Sequence, residues 1–171
     1  MLLGGTKRSP VIVDVRPVYL ADPAAPAQRQ PYHSELEVHG VRGARETARL
    51  VAAVERYARR SLATLFRVYR GDSRRLVGVG IVAGSVADPA SIANPHIRAH
   101  AAEGRLFREV IERAAKAARL RATVITEKAL AVEATRSLGL TPTRLRAEVG
   151  RLGELVEGPW RAEQKAAALS A

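Results

Sequence analysis

The chain contains no cysteine, and aromatic residues make up only 4% of its 171 residues. The absence of cysteine excludes disulfide bonds and thiolate metal sites. With so few aromatic side chains, stacking platforms for single-stranded bases are not expected. No run of about 18 apolar residues is present, so we expect no membrane-spanning helix, and the apolar start of MLLGGTKRSP is too short for a signal peptide. We therefore expect a cytoplasmic protein.

Acidic residues are also scarce, since 17 Asp and Glu stand against 28 Lys and Arg for a formal net charge of +11. Arginine supplies 24 of the basic residues and lysine only 4. A GC-rich genome accounts for arginine over lysine but not for the deficit of acids. The imbalance favours a polyanionic partner, and we expect nucleic acid. The length suits one domain, residues 1–171, with a core of its own.

Hydrophobic periodicity predicts an α/β layer architecture. A strand begins at Pro10, an exposed loop runs from Ala21 to Ser34, and a short strand is expected over residues 35–39. A β-hairpin follows later, with strands Leu62–Arg70 and Leu76–Gly84 around a turn at Gly71-Asp72-Ser73. After it we expect a helix over 96–120, a buried strand over 121–126, and helices over 128–138, 142–156 and 160–170.

Residues 42–60 are predicted as a helix with an arginine face. Val51, Val54 and Ala58 form its apolar stripe. Its arginines fall on the opposite side, within roughly a third of the circumference at 100° per residue: Arg42, Arg45, Arg49, Arg56, Arg59 and Arg60. We expect this face to contact phosphates in a salt-sensitive way, although a solvated helix face has the same pattern. A membrane surface fits less well, because the Ala and Val stripe is needed for the core.

Carboxylates occur at positions where charge is costly to bury unless a cation lies beside it. Glu103 lies on the apolar stripe of its helix with Phe107 and Val110. Asp14 interrupts an apolar strand, and Glu127 directly follows the buried strand. Each position has a structural alternative: a first-turn acid for Glu103 and Glu127, and an edge or solvent-facing position for Asp14.

The run LATLFRVYRGDSRRLVGVGIVAG followed by AAEGRLFREVIERAAKAARLRATVITEKAL resembles the ribonuclease H-like superfamily. In that pattern a hairpin precedes a helix with a catalytic Glu, and a strand ending in an acid follows about two dozen residues later. The resemblance implies a mixed sheet flanked by helices, with residues 21–61 as a loop and basic helix inserted after the first strand. It also implies that one or two Mg²⁺ or Mn²⁺ ions are held by three or four catalytic carboxylates: Asp14, Glu103, Glu127 and, as the fourth, Glu163.

Three functions remain open at this point. The leading hypothesis is a metal-dependent nuclease acting on structured nucleic acid. The second is a catalytically silent module of the same fold that binds nucleic acid or a protein partner, which the glutamates in place of two usual aspartates favour. In a third, the strand of Asp14, the basic helix and Leu62–Arg70 form a β-α-β unit of a different sheet and a small-molecule enzyme.

Two smaller motifs also carry alternatives. His96 and His100 in HIRAHAAE are spaced to share a helix face and to bind a metal, but no motif prescribes a third ligand. A surface or phosphate-contacting pair is the favoured interpretation, and a proton shuttle beside Glu103 is the other. The pair Gly78 and Gly80 within a strand predicts a bulge or a close packing contact.

Overall fold

A computed structural model describes residues 1–6, 9–37, 40–71 and 75–171 and shows a mixed α/β protein. The strands are β1 (Leu2–Thr6), β2 (Ser9–Asp14), β3 (Gly78–Ala83) and β4 (Arg121–Thr126). The helices are α1 (Ser34–Glu37), α2 (Val41–Arg70), α3 (Pro95–Ala117), α4 (Glu127–Leu138), α5 (Pro142–Gly153) and α6 (Ala162–Ser170). Short 3₁₀ turns span Pro26–Arg29, Pro31–His33 and Pro89–Ser91. In these described ranges, no helix has the length and apolar character needed to cross a membrane.

The chain divides into two compact units. Unit 1 consists of Met1–Pro17, Gly78–Gly84 and Ala122–Ala171, and unit 2 of Val18–Val77 and Ser85–Arg121. Unit 1 therefore holds the strands and the last three helices, while unit 2 holds α1, α2 and α3.

Unit 2 is built on the packing of α2 against α3. Val54 and Ala58 of α2 form a buried cluster with Leu106 and Val110 of α3. Each pair is four residues apart, so one turn of each helix presents both side chains to the other helix. The N-terminus of α3 is well defined, because the side chain of Asn94 accepts a hydrogen bond from the backbone N–H of Ile97.

The expected hairpin is wrong in its first strand, because residues 62–70 continue helix α2 instead. Leu62, Phe66 and Tyr69 are buried at helical spacing, so burial of this one face outweighs the β propensity of the segment. The second strand is confirmed as β3. Gly71 ends α2, while Asp72 and Ser73 of the expected turn lie outside the described residues.

Unit 1 contains two two-stranded sheets, one of β1 with β2 and one of β3 with β4. The first is an antiparallel hairpin in which Leu3 pairs with Ile12 and Thr6 with Ser9. Strand β1 was not expected from the sequence. Gly80 of β3 lies directly against the backbone oxygen of Ser170 at the end of α6, where a β-carbon would overlap that oxygen. The close packing contact expected for this glycine is therefore confirmed.

Other element boundaries follow the sequence to varying degrees. The predicted helix over 42–60 is confirmed but runs to Arg70, past the expected end of the inserted segment at residue 61. The short strand expected over 35–39 is wrong for its described part, where Ser34–Glu37 is helical, and residues 38–39 lie outside the described ranges. The strand from Pro10 is confirmed but ends at Asp14. The strand β4 and the helices α3 to α6 match their predictions within a few residues.

Candidate metal centre

The 3₁₀ turn Pro31–His33 holds one histidine against the helices of unit 2. Pro31 is almost fully buried, and its carbonyl oxygen accepts hydrogen bonds from the hydroxyls of Ser34 at 2.7 Å and Thr47 at 3.3 Å. The two hydroxyl oxygens lie 2.6 Å apart. Because Thr47 belongs to the buried face of α2, these bonds tie the turn that carries His33 to that helix.

The other two histidines come from the start of α3. His96 and His100 are four residues apart, so they lie on the same helix face, and their Nε2 atoms are 3.2 Å apart. The ring of His33 lies edge-on to both, with centroid distances of 5.1 Å to His96 and 4.6 Å to His100. One potential ligand nitrogen from each ring falls within 4.8 Å of the other two. The three imidazoles therefore converge on one point.

Glu103 supports this group from one turn further along α3. Its residue surface is only 6% exposed, and its Oε1 atom accepts a hydrogen bond from Nδ1 of His33 at 2.8 Å. Its Oε2 atom lies 3.4 Å from Nδ1 of His100. An ionised carboxylate can only accept, so the bond places the proton of His33 on Nδ1 and leaves its Nε2 with a free lone pair. This carboxylate orients the histidines as an outer-shell partner of a metal site does.

Nε2 of His33 is buried and has no hydrogen-bond partner among the described residues. A buried polar atom without a partner costs free energy, and such atoms are rare in folded proteins. Coordination of a metal would satisfy this nitrogen in the tautomer that Glu103 selects.

The donor set and its spacing fit a transition metal such as Zn²⁺. Zinc–nitrogen bonds of about 2.05 Å in a tetrahedral site place ligand nitrogens about 3.3 Å apart, close to the 3.2 Å between His96 and His100. Three neutral imidazoles suit Zn²⁺, Cu²⁺, Ni²⁺ or Fe²⁺ better than Mg²⁺ or Mn²⁺, which prefer oxygen ligands. Three histidines are the number of protein ligands that catalytic rather than structural zinc sites use. His96 and His100 are exposed, so a metal held by these residues would be accessible to solvent.

The carboxylates predicted as catalytic lie in different units. Glu103 belongs to unit 2, whereas Asp14, Glu127 and Glu163 belong to unit 1. Asp14 ends β2 and pairs with Arg16. Glu127 and Glu163 are exposed in the first turns of α4 and α6, where an acid stabilises the helix dipole. Their role as metal ligands stays a prediction.

The six arginines predicted to bind nucleic acid are all exposed on α2. Arg49 forms an ion pair with Glu46 at 2.6 Å, and this pair lowers the pKa of Glu46 through a side-chain hydrogen bond. Contact of this face with nucleic acid also stays a prediction.

The residue that the sequence analysis missed is His33. It precedes Glu103 by 70 positions, and nothing in the local spacing of PYHSEL marks it as a ligand. For His96 and His100 the sequence favours a surface or phosphate-contacting pair over a metal site, because no motif supplies a third ligand. Only the packing of the Pro31–His33 turn beside α3 supplies that ligand.

The chain matches no protein-family model, no curated protein and no solved structure.

Proposed function

We propose that this chain is a metal-dependent hydrolase whose centre is formed by His33, His96 and His100. The observation that carries the proposal is the convergence of these three imidazoles beside the buried carboxylate of Glu103. Zn²⁺ is the metal that the ligand set and the nitrogen spacing favour.

A metal held by His33, His96 and His100 would supply Lewis acidity there and would make hydrolysis near neutral pH accessible. The chain's own residues prepare the site. Glu103 keeps His33 in the metal-binding tautomer through the 2.8 Å bond to Nδ1. Because α3 presents His96 and His100 from adjacent turns, their separation is set by the helix and needs little reorganisation on binding.

The nuclease predicted from the sequence uses a different ligand set. In the ribonuclease H-like scheme, Asp14, Glu103, Glu127 and Glu163 hold Mg²⁺ or Mn²⁺. In the present proposal Glu103 orients histidines and does not itself bind the metal. The two schemes differ in their response to mutation: Asp14→Asn would abolish activity in the first and spare it in the second.

Metal binding tests the centre directly. We expect metal-free protein to bind one Co²⁺ or Zn²⁺ per chain, with the visible absorption of tetrahedral Co²⁺. His33→Ala and His96→Ala should each abolish that band. The remaining histidine, His39, lies outside the described residues, so the matched control is Glu112→Gln on α3, whose side chain is 40% exposed.

Hydrolysis tests the function. Zinc-loaded protein should cleave bis(4-nitrophenyl) phosphate or 4-nitrophenyl acetate faster than protein treated with EDTA, and His96→Ala should remove the difference. Absence of stoichiometric metal binding would refute the centre. Tight binding without acceleration of either probe would refute the hydrolase while leaving the metal site intact.

A further inference from the structure

The arginines of α2 form one continuous stripe along its whole length. At 100° per residue, all of them fall within an arc of about 100°: Arg42, Arg45, Arg49, Arg56, Arg59, Arg60, Arg67 and Arg70. Every one of these residues is exposed. At 1.5 Å per residue the stripe is about 42 Å long.

The stripe lies opposite the buried face of the helix. Leu50, Val54 and Leu62 face the core of unit 2, about half a turn of the helix away from the arginines. The continuation of α2 through residues 62–70, where the sequence predicted a strand, adds Arg67 and Arg70 to the six arginines of the predicted helix face. A strand there would have interrupted the stripe.

Most of this charge has no acidic counterpart on its own helix. Some exposed arginines elsewhere pair with an acid about one turn away, as Arg136 does with Glu133 and Arg151 with Glu148. Helix α2 carries two acids. Glu46 pairs with Arg49, and Glu55 pairs with Arg113 of α3.

Three arginines in the middle of the stripe have no paired acid within the described part of the chain. No ion pair there joins an acid to Arg56, Arg59 or Arg60. These three guanidinium groups therefore concentrate positive charge on a surface where no described acid pairs with them.

We propose that the stripe is a binding surface for the phosphate backbone of a nucleic acid. Guanidinium groups bind phosphate oxygens through two parallel hydrogen bonds, and a row of them matches a polymer with regularly spaced charges. This binding does not depend on the metal centre.

The composition of the stripe favours nucleic acid over a lipid surface. From Arg49 onward the arc contains arginine and alanine only, with Ala52 and Ala63 between the charged residues. A helix that lies on a membrane needs large apolar side chains beside its cations to enter the acyl region. Alanine instead lets a phosphate backbone approach the helix closely, without a bulky neighbour to displace.

Fluorescence anisotropy with labelled 24-base-pair DNA and RNA duplexes, in EDTA and at 50–300 mM NaCl, tests this proposal. The triple variant Arg56→Gln/Arg60→Gln/Arg67→Gln should weaken binding about tenfold or more at 100 mM salt. It should also reduce the slope of log K against log salt by about 2.7, or about 0.9 for each lost contact. The control Arg136→Gln/Arg144→Gln/Arg151→Gln removes the same charge from exposed sites on α4 and α5 and should change affinity less than threefold.

A second triple variant, Arg56→Lys/Arg60→Lys/Arg67→Lys, keeps the charge and should retain most of the salt slope, which separates lost contacts from lost folding. Equal losses in both glutamine variants would show that net charge alone drives binding and would overturn the proposal. So would wild-type protein that binds neither duplex, or that binds phosphatidylserine vesicles through the stripe while ignoring both duplexes.

Discussion

Replacement of Glu103 by glutamine isolates the contribution of the buried carboxylate to the metal centre. The change keeps the size of the side chain but removes its charge, so the bond to Nδ1 of His33 at 2.8 Å is no longer charge-assisted. Both partners are shielded from solvent, with side-chain exposures of 8% for Glu103 and 16% for His33. A glutamine amide can also donate to Nδ1, which would move the imidazole proton to Nε2 and block coordination.

The expected loss follows from two independent magnitudes. A hydrogen bond to a charged group contributes about 1.5–3 kcal/mol, and loss of an outer-shell partner weakens metal binding by about 10–100-fold. A loss of about 10–100-fold in metal affinity corresponds to about 1.4–2.8 kcal/mol, which agrees with the contribution of the hydrogen bond. We therefore expect Glu103→Gln to raise the zinc dissociation constant by about 10–100-fold while the metal-free protein still folds.

Competition with a chromophoric zinc chelator measures this change. The matched control is Glu112→Gln on the same helix, where the carboxylate is 40% exposed and lies 3.9 Å from Arg108. We expect the control to bind zinc like the wild type. Wild-type affinity in Glu103→Gln, or an equal loss of affinity in both variants, would show that the carboxylate of Glu103 does not support the metal centre.

Three further outcomes are expected from thermal or chemical unfolding. Gly80→Ala should destabilise the protein by about 1–3 kcal/mol, because its β-carbon would overlap the backbone oxygen of Ser170, whereas Gly84→Ala has open space and should be nearly neutral. Gly104→Ala should stabilise the protein by about 0.5–1 kcal/mol, because this α3 position is open and alanine favours the helix; a loss would show that the site is crowded. Zinc at about 100 times its dissociation constant should raise the free energy of unfolding by about 2.7 kcal/mol. EDTA should remove this increase, and the His33→Ala variant should not show it.

Patterns among neighbouring residues correctly predicted the elements that interactions between residues close in sequence determine. The alternation of Val11 and Val13 with Ile12 marked β2, and the left-handed Gly139 ended α4 at the expected place. The same kind of pattern failed for residues 62–70, where β-branched and aromatic residues suggested a strand. There the deciding term is the burial of Leu62, Phe66 and Tyr69 on one helix face, which local propensity does not contain.

The sequence by itself determined the excess of positive charge, the helical period that gathers the arginines, and the position of Glu103 inside an apolar stripe. Tertiary structure alone decided what that carboxylate contacts. Its partner His33 lies 70 residues earlier in the sequence, in a short turn. Contacts between residues so far apart in sequence produce no repeating pattern, because they depend on how separate elements pack. The metal centre therefore depends on tertiary packing. The arginine stripe depends on the helical period, and packing only lengthens the helix that carries it.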